Sequence, residues 1–209
     1  MATIRRLSDS CLLVGTDAGT TLFDPGFWTF DSGVIDLDDI GDVQRVLITH
    51  EHGDHVKPEF VRWLLDRGSD VAVHGNDAVV DLLARHDIEA TSTVPADCGA
   101  EDVLHGVIPT GATPPNRSWT ITGEFTHPGD SHEPTSTAPV LALPLMAPWT
   151  SMTSAVAFAR AVGPRQVVPI HDFYLSEGGR RAMTGMAKAV LAQSGIELVP
   201  LDWGDGYTT

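Results

Sequence analysis

The chain has 209 residues, 42% of them hydrophobic and 20% charged, with a formal net charge of −15. That length and balance suit a single globular domain over residues 1–209 and exclude a disordered or fibrous chain. The acidity argues against a nucleic-acid partner, whose phosphates need a basic surface, but not against an anionic small substrate, because bound cations invert the local field.

Residues 4–7, 11–14 and 20–23 are rich in β-formers and separated by turn residues, which predicts an antiparallel meander. Asp24-Pro25-Gly26 closes its third strand, and the acidic stretch 31–42 reads as a solvated loop or short helix. The apolar run Val46-Leu47-Ile48, within a strand over 44–48, delivers Thr49-His50-Glu51-His52-Gly53-Asp54-His55. Residues two apart in an extended segment project to the same side. His50 and His52 can therefore converge on one point, with Asp54 continuing the row. His55 breaks the alternation and points to a neighbouring spot, so one segment can feed two adjacent metal positions. Imidazole and carboxylate together suit zinc, manganese or iron.

Pro58 opens a helix with Phe60, Val61, Leu64 and Leu65 on one face, ended by Gly68. A strand over 71–74 follows, then a helix capped by Asn76 with Val79, Val80, Leu82 and Leu83 inward. This strand–helix rhythm predicts an α/β fold. His74 and His86 lie outside any cluster and read as structural. Residues 91–117 read as irregular. Residues 119–121 and 124–126 flank Gly123 like a hairpin, followed by His127-Pro128-Gly129-Asp130-Ser131. Gly129 permits a tight turn there, and His127 and His132 read as solvated loop positions. The apolar run 140–145 predicts a strand covered on both faces. A helix carrying Met152, Ala155, Val156 and Ala159 leads to Gly163-Pro164 and a buried strand 166–170 that ends at His171. The carboxyl end of a buried strand is where α/β folds place their sites. The last helix, about 177–194, puts Met183, Met186, Ala187, Val190 and Leu191 on one face, with the methionines as core filler. A terminal strand follows over 196–201. Cys11 and Cys98 read as small buried hydrophobes, not a redox pair or zinc ribbon. The N-terminus shows no signal-peptide pattern and no run reaches the length of a membrane span, so the expectations are a cytoplasmic location and no membrane partner.

The pattern His-x-His-x-Asp-His after a buried strand, carried here by His50, His52, Asp54 and His55, resembles the signature of the metallo-β-lactamase-fold hydrolases. The likeness extends over most of the chain and is greatest to the small single-domain branch that includes the ascorbate-phosphate lactonase-like proteins. It implies a four-layer αββα sandwich, with two mixed sheets packed face to face and helices outside. It implies two divalent metal ions, zinc first, with manganese or iron as alternatives. His50 and His52 would hold the first ion. Asp54, His55 and His171 would hold the second, and Asp130 of the Gly-Asp-Ser run would bridge them, since an ionised carboxylate has two acceptor oxygens. Asp24 is open between orienting a ligand and serving as a turn residue.

The chain departs from the pattern at one place. Relatives in this branch read roughly His-Ala-x-Ile-His-Pro, whereas this sequence has His105-Gly106-Val107-Ile108-Pro109. Either His105 fills the third position, water fills it, or the first site is weak or empty. With both ions in place, the resemblance implies a shared water acidified to a pKa near ~7 whose hydroxide attacks a carbonyl or phosphoryl centre, with Asp54 accepting or relaying the proton. A lactone, ester or phosphodiester of a small metabolite fits. Val56-Lys57 after the cluster counts against a hydroxyacylglutathione-type substrate, and the chain is too short for the extra domain of RNA-cleaving members. Trp149, Phe173 and Tyr174 wall a pocket or merely pack. The alternative is a non-hydrolytic metal-binding or regulatory protein with a depleted first site. An iron-based redox enzyme would need a flavin or thiol partner for which no motif is visible. A homo-oligomer is left open.

Overall fold

The computed structural model of the protein describes residues 1–67 and 70–209; Gly68, expected to end a helix, lies outside the described residues. The chain divides into two compact units, residues 1–97 with 202–209, and residues 98–201.

In the first unit the predicted meander forms as β1 (Thr3–Ser8), β2 (Cys11–Thr16) and β3 (Gly19–Phe23), paired antiparallel. The short helix α1 (Phe27–Asp31) ends where the acidic stretch begins, and a 3-10 turn at Leu37–Ile40 lies within that stretch. Next come β4 (Arg45–Leu47), α2 (Pro58–Asp66), β5 (Ala72–His74) and α3 (Asp77–Ala84), with β4 parallel to both β3 and β5. Pro58 starts α2 at the position where its missing N–H costs nothing. The Asn76 side chain accepts the Val79 N–H at the start of α3. Alternate residues Leu22, Val46, Ile48 and Val73 join Phe60, Val61, Leu64, Val79 and Leu83 in one core.

The second unit opens with β6 (Cys98–Leu104), β7 (Pro115–Ile121) and β8 (Phe125–His127), again antiparallel. Then follow β9 (Val140–Pro144), α4 (Met152–Val162), β10 (Gln166–Ile170), α5 (Glu177–Ala192) and β11 (Glu197–Leu198), with β8 to β11 parallel. Its core gathers Leu141, Leu143 and Leu145 with Ala155, Phe158, Ala159, Val167, Ala187 and Leu191. β12 (Gly206–Thr208) returns to the first unit and pairs with β1. The result is two six-stranded mixed sheets, ordered β12-β1-β2-β3-β4-β5 and β11-β10-β9-β8-β7-β6. Each unit runs antiparallel strands first and parallel strands with helices after them. This is the α/β construction expected of the family.

Several expectations fail. The stretch 91–117 is not irregular throughout, because β6 and the start of β7 form a hairpin. Residues of β6 alternate between half-buried and exposed, so the strand lacks an apolar face to announce it. The terminal strand is two residues long, and β12 is an additional strand. Met186 is 48% exposed and fills no core.

Candidate functional site

The His-x-His-x-Asp-His motif follows just after β4. Thr49, His50 and His55 are fully buried, and His52 and Asp54 are half-buried. The backbone turns tightly here, with both the His55 and Val56 N–H groups donating to the His52 carbonyl. His50 Nε2 and His52 Nδ1 face each other at 3.1 Å. His50 also lies beside His55, with ring centroids 4.0 Å apart. Asp54 Oδ2 is 4.0 Å from His55 Nε2. Within the first unit, four of the six expected ligands thus share one loop.

Asp24, at the end of β3, organises this loop. Its Oδ1 accepts the Thr49 N–H at 2.8 Å, and its Oδ2 accepts the Thr49 hydroxyl at 2.8 Å. His55 Nδ1 stands 2.7 Å from the same Oδ2. A buried carboxylate accepts, so Nδ1 carries the hydrogen and the His55 Nε2 lone pair is left outward. The Thr49 oxygen, having given its hydrogen to Asp24, accepts from His50 Nδ1 at 3.0 Å. That leaves the His50 Nε2 lone pair toward His52. One carboxylate therefore sets two imidazole tautomers, one directly and one through a hydroxyl. The loop also rests on Gly26, where a Cβ would stand 1.8 Å from the Asp54 carbonyl oxygen. Only a residue without a side chain lets these two backbones approach so closely.

In the second unit Asp130 is the centre. It is 2% exposed, and its loop follows β8. Asn116 on β7 braces that loop, accepting the Asp130 N–H at 3.1 Å and donating to the Pro128 carbonyl at 2.8 Å. The Gly106 N–H donates to the Asp130 carbonyl. On the side chain, His171 Nε2 lies 2.6 Å from Oδ1, and His105 Nε2 lies 3.2 Å from Oδ2. The Trp149 indole Nε1–H donates to Oδ2 at 2.8 Å. His171 follows β10 with φ 61°, a left-handed conformation rare for a residue with a side chain. His105 Nδ1 donates to the Gly106 carbonyl, which turns its Nε2 toward the carboxylate.

Two histidines depart from expectation. His127 and His132 are not solvated loop positions. His127 is fully buried and accepts the Gly129 N–H on Nδ1. His132 is half-buried, stacked on Phe158 with centroids 5.1 Å apart, with Nε2 bonded to the Pro144 carbonyl at 3.1 Å. Burial pushes its pKa down to about 4, against smaller upward pulls from the Pro144 carbonyl and from Asp130. Asp24 is the orienting group and not merely a turn residue. Tyr174 is 60% exposed. His74 is structural as expected, bonded to the Thr93 carbonyl. Sequence reasoning missed the roles of Thr49 and Asn116. Thr49 adjoined the motif and offered a signal, whereas Asn116 offered none.

Comparison with known proteins gives three kinds of match. The family model described as the metallo-beta-lactamase superfamily covers residues 4–171. Protein Rv0786c of Mycobacterium tuberculosis is 32% identical over 186 residues, spanning 82% of this chain and 84% of its own. Among solved structures, Igni18, a novel metallo hydrolase from the hyperthermophilic archaeon Ignicoccus hospitalis, matches with a TM-score of 0.75 at 16% identity, over 99% of this chain and 97% of that one. CmlA, a diiron β-hydroxylase from Streptomyces venezuelae, matches with a TM-score of 0.66 at 12% identity, over 100% of this chain and 54% of that one. At these identities the solved structures establish a shared fold and nothing further.

Proposed function

Because the chain belongs to the metallo-β-lactamase superfamily, we propose that residues 1–209 work as one functional domain, a hydrolase that uses two divalent cations on a small-molecule lactone, ester or phosphodiester. His50, His52 and His105 would hold the first cation. Asp54, His55 and His171 would hold the second, and Asp130 would lie between them. The observation that carries this reading is the Asp130 carboxylate, which has one histidine Nε2 at each oxygen, at 2.6 and 3.2 Å. An ionised carboxylate has two acceptor oxygens and can offer one to each cation. His171 approaches Oδ1 and His105 approaches the other oxygen, an arrangement that suits two histidines serving different cations. His105 is then the third histidine of the first site, in place of the residue that the sequence lacks at Pro109. The donor chemistry fits as well, because Asp24 and Thr49 leave the Nε2 lone pairs of His50 and His55 available. Neutral imidazoles with carboxylates suit zinc first; manganese and iron stay open, iron also because one structural neighbour is named a diiron enzyme.

When bound, two such cations acidify a water and polarise the substrate carbonyl or phosphoryl oxygen. The chain's own residues supply the rest. Asp24 and Thr49 orient the imidazoles through hydrogen bonds at Nδ1. Asp54 is less enclosed than His55, with its side chain 18% exposed. It can accept the proton of the attacking water and pass it to the leaving oxygen as the acyl or phosphoryl bond to that oxygen breaks.

The test is metal content followed by activity. Protein purified without added metal and then titrated should bind two equivalents. A lactone, thioester and phosphodiester panel with zinc, manganese and iron in turn should yield turnover that His52→Ala and Asp130→Asn abolish. One equivalent or none, with no turnover, would replace this reading with a non-hydrolytic protein on the same fold.

A further inference from the structure

We infer that Trp149 is the positioning residue of the metal centre, holding the Asp130 carboxylate by its indole N–H in the orientation in which it would meet the cations. The inference rests on the proposed role of Asp130 as the bridge. A carboxylate rotates easily about its last side-chain bond, and a bridging ligand misaligned by that rotation loses one of its two cations.

Three observations single out the indole. First, its Nε1–H reaches Asp130 Oδ2 at 2.8 Å. Indole nitrogen is a donor only, so Trp149 cannot compete for the cation and keeps its bond when metal binds. An oxygen with two lone pairs can face a cation with one and the indole with the other. The two histidines that also approach Asp130 are different, because each must present a bare lone pair once it ligates.

Second, the ring has a built seat. A Cβ at Gly106 would stand 2.2 Å from Trp149 Cε3 and 2.7 Å from Cδ2. Gly106 directly follows His105 and donates its N–H to the Asp130 carbonyl at 2.8 Å. The same glycine thus ties the His105 segment to Asp130 and admits the indole between them.

Third, the ring contacts three imidazoles edge to face. Its centroid lies 5.6 Å from that of His105, 5.1 Å from His132 and 6.3 Å from His171. His132 is itself pinned by the Pro144 carbonyl and the Ser154 hydroxyl. A rigid bicycle held on these sides gives its N–H a single direction.

The test compares Trp149→Phe, which keeps a ring but no donor, with Trp149→Gln, which keeps a donor but no ring. Zinc and manganese affinities are measured against a competing chelator, and melting temperatures on chelator-treated protein. Loss of an outer hydrogen bond to a ligand costs 10–100-fold in metal affinity. Trp149→Phe should therefore bind its weaker equivalent about 10–100-fold less tightly, with the metal-free melting temperature near that of the wild type, and Trp149→Gln should recover part of the affinity. Wild-type affinity in Trp149→Phe overturns the inference, as does a Gln variant that binds more weakly than the Phe variant. Failure of the wild type to bind metal at all sinks the two-cation reading as well; loss of this inference alone leaves a metal-binding wild type.

Discussion

Asp24→Asn is an isosteric change at a buried site, and its consequences can be worked out atom by atom. The carboxylate accepts three hydrogen bonds, two from Thr49 and one from His55. The amide can keep its oxygen only on the side of the Thr49 N–H, because an NH2 there would face another donor. Its NH2 then points at the Thr49 hydroxyl and His55 Nδ1. Both must become acceptors. His55 shifts its hydrogen to Nε2, and the Thr49 hydroxyl turns its hydrogen toward His50 Nδ1, pushing that ring into the same wrong tautomer. Two imidazoles thereby lose the lone pairs that would ligate. Each of the three bonds falls from the charge-assisted range to the neutral one, a loss of about 1 kcal/mol apiece, or about 3 kcal/mol in all. Urea denaturation of chelator-treated protein reads that figure directly. Metal titration reads the tautomer effect, expected as a 10–100-fold loss of affinity. A variant that loses stability but binds metal like the wild type would refute the tautomer argument. A variant with unchanged stability would refute the assigned bonds themselves. Asp24→Ala is the cruder probe, since three buried donors without an acceptor cost about 3 kcal/mol or more and the fold can fail altogether.

Gly26→Ala puts a methyl group 1.8 Å from the backbone oxygen of Asp54, where no side chain can swing aside. Overpacking of this kind costs about 1–3 kcal/mol or more; a lowered melting temperature together with lost metal uptake is expected, and wild-type values for both would show that the loop does not need this approach. His132 titrates low when folded, near about 4 against 6.5. The unfolded chain takes up its proton first, so the stability His132 contributes is present above pH 6.5 and is lost as pH falls toward 4. Between pH 7 and 4.5 the loss is about 2 kcal/mol; His132→Gln should show a smaller drop in urea denaturation, and equal drops would count against the burial argument. The Cys11 thiol is pushed far above its ordinary value of 9.0 by burial, against a smaller downward pull from the Thr29 bond, with still smaller upward pushes from Asp24 and Asp9. A thiol reagent at pH 9 should leave Cys11 untouched in the native protein and modify it on unfolding. Rapid native labelling that disappears in Cys11→Ala would contradict the placement.

What the sequence made legible followed from local chemistry. Strands and helices with clean apolar periodicity, such as the N-terminal meander and α2 to α3, fall where the pattern puts them. His50 to His55 are contiguous, so their shared loop follows from spacing alone. The misses have a different cause. β6 is an edge strand whose inward residues are only half-covered, so hydrophobic alternation has little to record. β12 owes its existence to a vacant edge on β1, which lies nearly the whole chain away. His127 and His132 look like polar loop residues until the partners that bury them are known. Asn116 acts through two bonds and Trp149 through one to a loop 12 to 19 residues distant, and no spacing rule encodes a tertiary hydrogen bond.

The two units share more than a pairing pattern. In each, a site residue lies just past the end of a parallel-paired strand with a left-handed backbone, Asp24 after β3 at φ 47° and His171 after β10 at φ 61°. Both residues carry a Cβ, so each such position costs about 1–3 kcal/mol. The conformation turns the side chain out of the strand's alternation. At Asp24 the turn aims the carboxylate at Thr49 and His55, and those bonds offset the strain locally. At His171 the ring nitrogen Nε2 meets Asp130 at 2.6 Å. On the proposed two-cation reading, that contact would change character with a cation bound, as the bonds at Asp24 would not. The first cluster is therefore held in shape by the fold itself, and on the proposed reading the second would be completed by the cations.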